Sequence, residues 1–490
     1  STRYRQWQIA GSLGGIFYST VTPWQSSGGV QVMLGNYQHN SDIQYMGQVA
    51  PVQLPAELDG YNIRRGFWET SDLMYRFSLQ VMARKIAHLK SNPLPPAEAA
   101  VPDMQQLPAV TKMVERPRPF EVDLAALEGM VKELSVLFKD YKELFNSNVM
   151  LVAVEQDNYR LTSENVRLKF PLGLVGLTVS ASVRTTDGST VSDVLAISSL
   201  DNPADLPSIE ELKKKVKDFA DNLMELKETP MIEEYYTGPV LFEGGAASRL
   251  FTDNLLSPGR LLALRTMAPA RGMLDEQLGR RIIDSRLTVK NYTTLAEYNG
   301  TPLFGCYEID GDGVVPAAEL TLVENGVFKR MLNGRVPTLK APESTGSARF
   351  MISPDNPMAI VSPGTIHVQA SKGVGPEKLK KALLKAAKEA DLEYAYIVRR
   401  IGGEASAVYK VNVKDGKEIR VRVNNLSAPE LTKLMDLKGI SSDERVMNYF
   451  PNGVPASLIY PSAIIVGDVE INRTTPKIEE EPVLKHPLQR

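Results

Sequence analysis

The sequence has little cysteine and little histidine. Among 490 residues there is one cysteine, Cys306, and the four histidines lie far apart, at His39, His88, His367 and His486. A zinc site needs three or four His, Cys or carboxylate ligands, usually with two at helical spacing. Residues distant in sequence could still converge, but the spacing itself indicates no metal centre. A single cysteine also excludes an internal disulfide, so the cysteine content does not indicate whether the protein works in an oxidising or a reducing compartment.

Long apolar runs and an excess of charge are also missing. The longest apolar stretches, Val149–Val154 and Leu172–Val179, are far shorter than the roughly 20 residues of a membrane-spanning helix. The net charge is -2 and the pI is near 6.2, whereas nucleic-acid binding needs a basic face. The sequence therefore predicts neither a membrane nor a nucleic-acid partner. A start at Ser1 without methionine fits a removed signal peptide or a trimmed chain, so an exported bacterial protein is marginally favoured over a cytoplasmic one.

Familiar catalytic motifs are absent. There is no G-x-S-x-G elbow, no Walker loop and no dinucleotide-binding glycine fingerprint. The segment Asp310–Gly313 resembles part of a calcium loop, but the later oxygen ligands are missing, which favours a tight turn. His367 lies in an apolar run and is predicted to be a strand residue rather than a ligand. Cys306, between aromatic neighbours, is predicted to be a small core residue.

The length predicts two or three domains of an α+β protein. The N-terminal part is an α/β region with long helices, and the C-terminal part is β-rich. We expect a first region at residues 1–120, which includes a proline-rich linker at 91–119, and an α/β domain at residues 121–235. The β-rich domain follows at 236–490, where short strands alternate with Gly, Asn and Asp turns.

Two long helices are expected in the first half. One covers about Glu69–Leu89, capped by Thr70 or Ser71, and its inward side consists of Leu73, Phe77, Val81 and Leu89. The other covers about Val122–Phe145 with one continuous apolar seam. The simpler interpretation is a helix that crosses a sheet or packs on the first helix, and a partner-binding coiled coil is the alternative.

Further elements follow from local patterns. Ser208 and Glu211 form a capping box that opens a charged helix to about Glu228, and Pro376 begins a helix that ends near Ala390. Strands are predicted at Val149–Val154, Val166–Phe170 and Leu174–Val183. The tail after Thr475 is expected at the surface.

A series of motifs in the C-terminal half resembles a known family. The segment Gly238–Phe251 is a short apolar strand that turns through small residues into a helix. It is followed in order by Leu278–Ile282, Leu287–Val289, Gly305–Val314, Leu320–Val327, Ser344–Arg349, Val454–Ser457 and Pro461-Ser462. Together, over about residues 236–473, these motifs resemble the TldD/PmbA family of metallopeptidase-related proteins. The preceding half fits the family more loosely.

The resemblance implies where a metal centre would have been. In the catalytic TldD branch an H-E-x-x-x-H helix follows this strand, and a cysteine near the C-terminus adds a ligand. The two histidine positions fall on Glu243 and Ser248, the catalytic glutamate falls on Gly244, and the cysteine falls near Asn448. Serine and asparagine are poor zinc ligands and glycine cannot act as a general base. The resemblance therefore implies the metal-free PmbA branch, also called TldE.

From this resemblance we expect a protein without intrinsic peptidase activity that takes part in proteolysis of unfolded peptides. It would form a homodimer, or a heterodimer with a TldD-like catalytic subunit. A peptide groove is expected at Phe242, Glu243, Ser248 and Arg249. No cofactor is expected, and zinc would require atypical ligands. The alternatives are an active metallopeptidase that uses Glu243 with distant residues such as His367, and a scaffolding protein that binds a partner through residues 1–145.

Overall fold

The computed structural model describes residues 1–42, 49–52, 54, 59–266, 273–352, 358–402, 405–423 and 426–473. The tail after Thr475, which we predicted to lie at the surface, is outside the described residues, and so is His486 within it. In the described part, no helix is both long and apolar enough to cross a membrane.

The first half mixes long strands with helices around one sheet. The sheet has the order β3-β2-β1-β5-β6-β4, with β7 paired to β6, and the helices α3 and α4 cover one face of it. The elements are β1 (Thr2–Ser12), β2 (Gly15–Val30), β3 (Ala50–Val52), α1 (Gly60–Ser91), α2 (Pro96–Ala99), β4 (Thr111–Met113), α3 (Leu124–Ser135), β5 (Leu144–Leu161), β6 (Arg167–Arg184), β7 (Thr190–Leu200) and α4 (Ile209–Glu228).

The second half is rich in short strands, as predicted. Its elements are β8 (Tyr236–Glu243), α5 (Gly245–Leu255), β9 (Leu287–Tyr292), β10 (Glu297–Tyr298), β11 (Thr301–Pro302), β12 (Glu319–Glu324), β13 (Val327–Phe328), β14 (Ala348–Phe350), β15 (Ala359–Val361), β16 (Thr365–Ala370), α6 (Pro376–Glu389), β17 (Tyr394–Arg400), β18 (Ala407–Asn412), β19 (Glu418–Val421), β20 (Leu437–Ile440), β21 (Glu444–Tyr449), β22 (Ala456–Pro461) and β23 (Ala463–Ile471).

Two six-stranded sheets enclose the core of the second half. One has the order β13-β12-β9-β16-β22-β21 and the other has the order β19-β18-β17-β8-β23-β20. Alternate strand residues point to opposite faces. Along β8, Phe242 therefore enters the core shared by the two sheets and α5, while Leu241 packs on α6 at the outer face. This alternation decides which residues around β8 can meet.

Helix α1 differs from its prediction in two respects. It begins after Asp59, whose Oδ1 accepts hydrogen bonds from the backbone N–H groups of Tyr61 and Asn62 at 2.8 Å, rather than at Thr70 or Ser71. Its buried side also differs, because the predicted inward residues Leu73 and Phe77 are exposed. The buried residues are Met74, Ser78, Val81 and Lys85. Two of these are polar, so hydrophobic periodicity could not identify this side.

The polar residues on the buried side of α1 have partners. The hydroxyl of Ser78 donates to the carbonyl of Val32 at 2.7 Å. The ammonium group of Lys85 lies 2.7 Å from a carboxylate oxygen of Asp103, and both side chains are almost fully buried. Asp103 belongs to the proline-rich 91–119 segment, which we predicted to be a linker. That segment also contains α2 and β4, and β4 pairs with β6, so much of it packs on the sheet.

The second predicted helix is shorter than expected. Helix α3 ends at Ser135, a 3₁₀ turn covers Val136–Asp140, and β5 begins at Leu144. The two strands predicted on either side of Pro171 form a single strand, β6. The capping box of Ser208 and Glu211 is confirmed, as is the helix that begins at Pro376.

Candidate functional site

The turn between β8 and α5 depends on Gly244. This residue has φ 54° and ψ −126°, a conformation that is strained for residues with a side chain. A Cβ atom at Gly244 would lie 3.1 Å from Nη1 of Arg445. The predicted strand, small-residue turn and helix are confirmed. The backbone conformation at Gly244 therefore favours glycine, at the position where the resemblance implies a catalytic glutamate.

A cationic side chain lies beside the first turn of α5. Arg445 on β21 pairs with Tyr460 on β22, and side chains directly opposite in such a pair share one face. Burial raises the pKa of Tyr460, an effect that the charge of Arg445 and a hydrogen bond with Ser248 partly oppose. The Ser248 hydroxyl also donates to the carbonyl of Gly245 at 2.8 Å. A guanidinium at this place repels a divalent cation.

Glu243 belongs to an ion-pair network on the outer side of its sheet. Nε of Arg399 lies 2.9 Å from Oε2 of Glu243, and Nη2 of the same arginine lies 2.9 Å from Oε2 of Glu418. Lys380 on α6 contacts Glu418 at 2.6 Å. Partial burial alone would raise the pKa of Glu418, but Lys380 and Arg399 hold it below its ordinary value. The Glu243 carboxylate is thus compensated by a protein cation.

Asn448 lies on the far side of the other sheet. Its Oδ1 accepts a hydrogen bond from the hydroxyl of Ser457 at 2.6 Å, and its Nδ2 donates to the carbonyl of Pro302 at 2.9 Å. Its neighbour Met447 packs against the shared core instead, so the side chain of Asn448 points away from that core. Asn448, Ser248 and Glu243 consequently occupy three separate environments and do not form one centre.

The predicted peptide groove is not open at all four of its residues. Phe242 and Ser248 are 0% and 1% exposed, so they pack in the core and do not line an accessible groove. Glu243 and Arg249 do reach the surface, where Arg249 pairs with Asp253 at 2.9 Å. Adjacent residues of β8 point to opposite faces of the sheet, so Phe242 and Glu243 cannot face one cleft.

A cluster around His367 could not be recognised from the sequence, because its members come from separate segments. Nε2 of His367 lies 3.0 Å from Oε1 of Glu444, and the hydroxyl of Tyr298 hydrogen-bonds to the other carboxylate oxygen. Burial and the bond to Glu444 raise the pKa of Tyr298 to about 12. Partial burial would raise the pKa of Glu444, yet His367 and Tyr298 hold it below its ordinary value. The prediction that His367 is a strand residue is confirmed, since it lies in β16.

His367 and Glu243 cannot share a metal ion. Ile366 and Val368, on either side of His367, face the shared core, so His367 points to the outer side of its own sheet. Glu243 points to the outer side of the second sheet, next to α6. Two sheets and the core between them therefore separate the two side chains. Across the described ranges, moreover, no three His, Cys, Asp or Glu side chains are grouped so as to hold a metal ion.

Two smaller predictions have opposite outcomes. The tight turn at Asp310–Gly313 is confirmed, with Oδ1 of Asp310 accepting from the backbone N–H groups of Asp312 and Val314 at 2.9 Å. Burial and the neighbouring charge of Asp312 raise the pKa of Asp310 to about 7. The prediction that Cys306 is a core residue is wrong, because its side chain is exposed.

A cavity of about 290 Å³ lies between the N-terminal sheet and the second half. Charged residues line part of it, and some of them form ion pairs across the two halves. Arg160 lies 3.2 Å from Asp312, and Arg335 lies 2.7 Å from Glu164. These pairs indicate that the charges stabilise the contact between the halves.

Comparisons with known proteins agree with this architecture. Residues 236–472 match the family model of the PmbA/TldA metallopeptidase C-terminal domain. TldE from Thermococcus kodakarensis has a similar structure, with 14% identity, coverage of 96% of this chain and 95% of that chain, and a TM-score of 0.57. A comparison with curated proteins gave no match.

Two further solved structures are similar. A candidate modulator of a DNA gyrase from Thermotoga maritima MSB8 has 14% identity, covers 96% of this chain and 94% of its own, and gives a TM-score of 0.54. Another candidate modulator of DNA gyrase, from Bacteroides thetaiotaomicron VPI-5482, has 12% identity, covers 95% of this chain and 93% of its own, and gives a TM-score of 0.51. At these identities the likeness concerns the fold, and the expected mixed fold with a β-rich second half is confirmed.

Proposed function

Because the chain belongs to the PmbA/TldD family through residues 236–472, we propose that it is a non-catalytic, TldE-like member that holds extended peptides. It acts in proteolysis beside a catalytic, TldD-like subunit or within a homodimer. No step of metal-assisted hydrolysis is assigned to its own residues.

The observation that supports the proposal most directly is the turn at Gly244. A general base must place a carboxylate or imidazole within hydrogen-bond reach of a water molecule. At the position that aligns with this base, Gly244 has no side chain and its conformation disfavours one. Arg445 supplies a positive charge close by, which opposes a second cation. The residues present therefore do not fit a zinc ion at this place.

Peptide holding is supported by the edge of a sheet. Strand β21 is the last strand of its sheet among the described residues, and it runs past the turn at Gly244 through Arg445. An extended peptide can add to such an edge by main-chain hydrogen bonds, which give affinity with little sequence preference. A folded protein cannot offer its backbone in this way, so unfolded segments would be selected.

Metal content and cleavage test the absence of intrinsic activity. Elemental analysis of the purified chain should find no stoichiometric zinc, and incubation with an unstructured peptide should give no new fragments by mass spectrometry. Addition of zinc should change neither result. One tightly held zinc per chain together with chelator-sensitive cleavage would overturn the non-catalytic assignment.

Peptide binding needs a separate test. Fluorescence anisotropy of a labelled, unstructured peptide should show binding, and the same peptide with N-methyl groups at alternate residues should bind at least about tenfold more weakly, because main-chain donors are lost. Equal binding of both peptides would exclude pairing with the sheet edge. The methylated peptide keeps its side chains, so it serves as the matched control.

An active metallopeptidase with atypical ligands is less well supported. Its candidate ligands, Glu243 and His367, already pair with Arg399 and Glu444 and face opposite outer sides of the domain. For nucleic acid, the net charge of -2 offers no excess of positive charge, so a nucleic-acid partner is not proposed.

A further inference from the structure

Helix α1 has a second apolar side that faces solvent. This side, which we call the α1 stripe, consists of Tyr61, Trp68, Tyr75, Leu79 and Ile86, which are 69%, 70%, 49%, 50% and 45% exposed. With 3.6 residues per turn, these five residues fall within about 40° of one another on the helix surface and extend over about 37 Å. None of these residues belongs to the side of α1 that packs on the sheet.

The α1 stripe is complementary to itself. Its N-terminal end is aromatic, with Tyr61 and Trp68, its C-terminal end is aliphatic, with Leu79 and Ile86, and Tyr75 lies between them near the middle. Trp68 and Leu79 lie at equal distances from the midpoint between Leu73 and Met74, and Tyr61 and Ile86 lie symmetrically about the same point. A second copy packed antiparallel would therefore place each aromatic end on an aliphatic end. This is the arrangement of an isologous two-fold contact, in which residue i meets j and j meets i.

Charges close to the stripe fit the same arrangement. Asp72 and Arg76 form an ion pair of 2.8 Å within α1, and they lie almost symmetrically about the same midpoint. In an antiparallel pair of helices, Asp72 would approach Arg76 of the partner subunit, and the reverse pair would form as well. Opposite charges thus face each other near the centre of the contact, which favours this register over a parallel one.

The exposed area suits a stable contact. An aromatic side chain buries about 150–250 Å², so the exposed fractions of the three aromatic residues amount to roughly 400 Å² per copy. Two copies contribute about 800 Å² from these residues alone, and Leu79, Ile86 and the flanking charges carry the total past the roughly 1,000 Å² expected of a biological interface. A solitary chain would leave this area in water, which is unusual for a monomer.

We propose that the α1 stripe is the contact between two copies of this chain, packed antiparallel about a two-fold axis that crosses the stripe at the level midway between Leu73 and Met74, next to Tyr75. This inference deepens the proposed function, because it names the partner and the surface for the homodimer. It does not depend on the absence of zinc or of peptidase activity.

Sedimentation of the full chain provides the first test. We expect a dimer at micromolar concentration, and Trp68→Glu should weaken the dimer by about thirtyfold or more, as for a central aromatic residue of an interface. The matched control is Leu73→Glu on the same helix. Leu73 is 63% exposed but lies outside the stripe, so this variant should remain dimeric. Circular dichroism should show that both variants stay folded.

Cross-linking tests the antiparallel register. In a Cys306→Ser background, the double variant Trp68→Cys/Leu79→Cys should form a covalent dimer on mild oxidation, at a protein concentration well above that used for sedimentation because loss of Trp68 weakens the contact. Trp68→Cys/Ile86→Cys should cross-link much less, because those two positions are not symmetric about the midpoint. Exposed Cys306 is removed so that it cannot form the link itself.

Three results would overturn the proposal. The wild-type chain could sediment as a monomer, or Trp68→Glu could leave the dimer intact, or the monomer could bind anionic phospholipid vesicles through Trp68. The last result would make the stripe a membrane-surface helix. A zinc-bearing, active chain that still dimerises through the stripe would overturn the proposed function and leave the dimer proposal intact, so the two failures can be distinguished.

Discussion

The shared core around Phe242 and the outer side of α1 use similar side chains for opposite purposes. In the second half, aromatic and aliphatic residues from two sheets face each other, and the polar groups at the outer sides are paired with one another. On α1, aromatic residues of the same size face water. Burial within the chain fixes the fold in the first case, and the exposed stripe in the second is available to a partner. A large apolar side chain is therefore informative only once its direction is known.

The sharpest test of this comparison replaces one aromatic residue from each region. Phe242→Ala should lower the free energy of unfolding by about 3–5 kcal/mol, because it leaves a cavity in a closely packed core. Trp68→Ala should change it by about 0.5 kcal/mol or less, as expected for an exposed site. Urea denaturation under conditions that keep both chains monomeric measures the difference. Similar losses for the two variants would mean that Trp68 packs within its own chain.

The buried ion pair beneath α1 should be nearly as sensitive as the core. Lys85→Met removes the nearest cation from the buried Asp103 carboxylate, which keeps Arg265 at 3.5 Å and the backbone N–H of Asn40 at 2.8 Å. The cost should therefore be about 3 kcal/mol, at the low end of the range for breaking a buried ion pair. Arg65→Met removes the partner of Glu69 in an exposed pair at 2.8 Å and should cost about 0.5 kcal/mol or less. Thermal unfolding compares the two variants. If Lys85→Met is as mild as Arg65→Met, the buried pair does not hold α1 on the sheet.

A smaller effect is expected at the turn before α5. Gly244→Glu places a carboxylate where the resemblance implies a catalytic glutamate, but it imposes a positive φ on a residue with a side chain, at a cost of about 1–3 kcal/mol. It should neither bind zinc nor cleave peptides. Gly245→Ala is the control, since a Cβ there would have only an ordinary contact, 3.9 Å from the carbonyl oxygen of Arg399. Stoichiometric zinc in Gly244→Glu would contradict the account of this turn.

Two carboxylates should respond to pH in opposite directions. The pKa of Asp310 is raised to about 7 from an ordinary 3.8, mainly by burial, so its contribution to stability is present below pH 3.8 and is lost as pH rises towards 7. Burial alone would also raise the pKa of Asp284, but Arg286 and backbone donors lower it to about 2. Its contribution is present above pH 3.8 and is lost as pH falls towards 2.

Unfolding measured from pH 2 to pH 8 checks both signs. Asp310→Asn should remove the loss of stability between about pH 4 and pH 7, while Asp284→Asn should reduce the loss between about pH 4 and pH 2. The double variant should have the flattest profile. An unchanged slope in either single variant would assign that pH range to other groups.

Local patterns predicted the elements that short-range interactions control. The capping box at Ser208, the helix that begins at Pro376 and the turn from β8 into α5 each depend on neighbours within a few residues. The packed side of α1 could not be predicted, because it includes Ser78 and Lys85. Their partners, Val32 and Asp103, come from distant segments.

The candidate site divides in the same way. The resemblance of residues 236–473 pointed to the family, and it implied that Gly244 stands where the catalytic branch has a carboxylate. The sequence could not show that Arg445 lies beside that turn, or that His367, Glu444 and Tyr298 form a cluster. Those contacts join residues on different strands, and their existence depends on the pairing register of the sheets.

Residue identity and short-range order were enough to predict the type of most elements and the β-rich second half. They also showed that the positions implied by the family resemblance carry no nitrogen or sulfur ligand. That Glu243, Ser248 and Asn448 lie apart, and that the α1 stripe faces solvent, became known from the fold alone. Strand alternation and helix rotation set the direction of each side chain, and both depend on packing between distant segments.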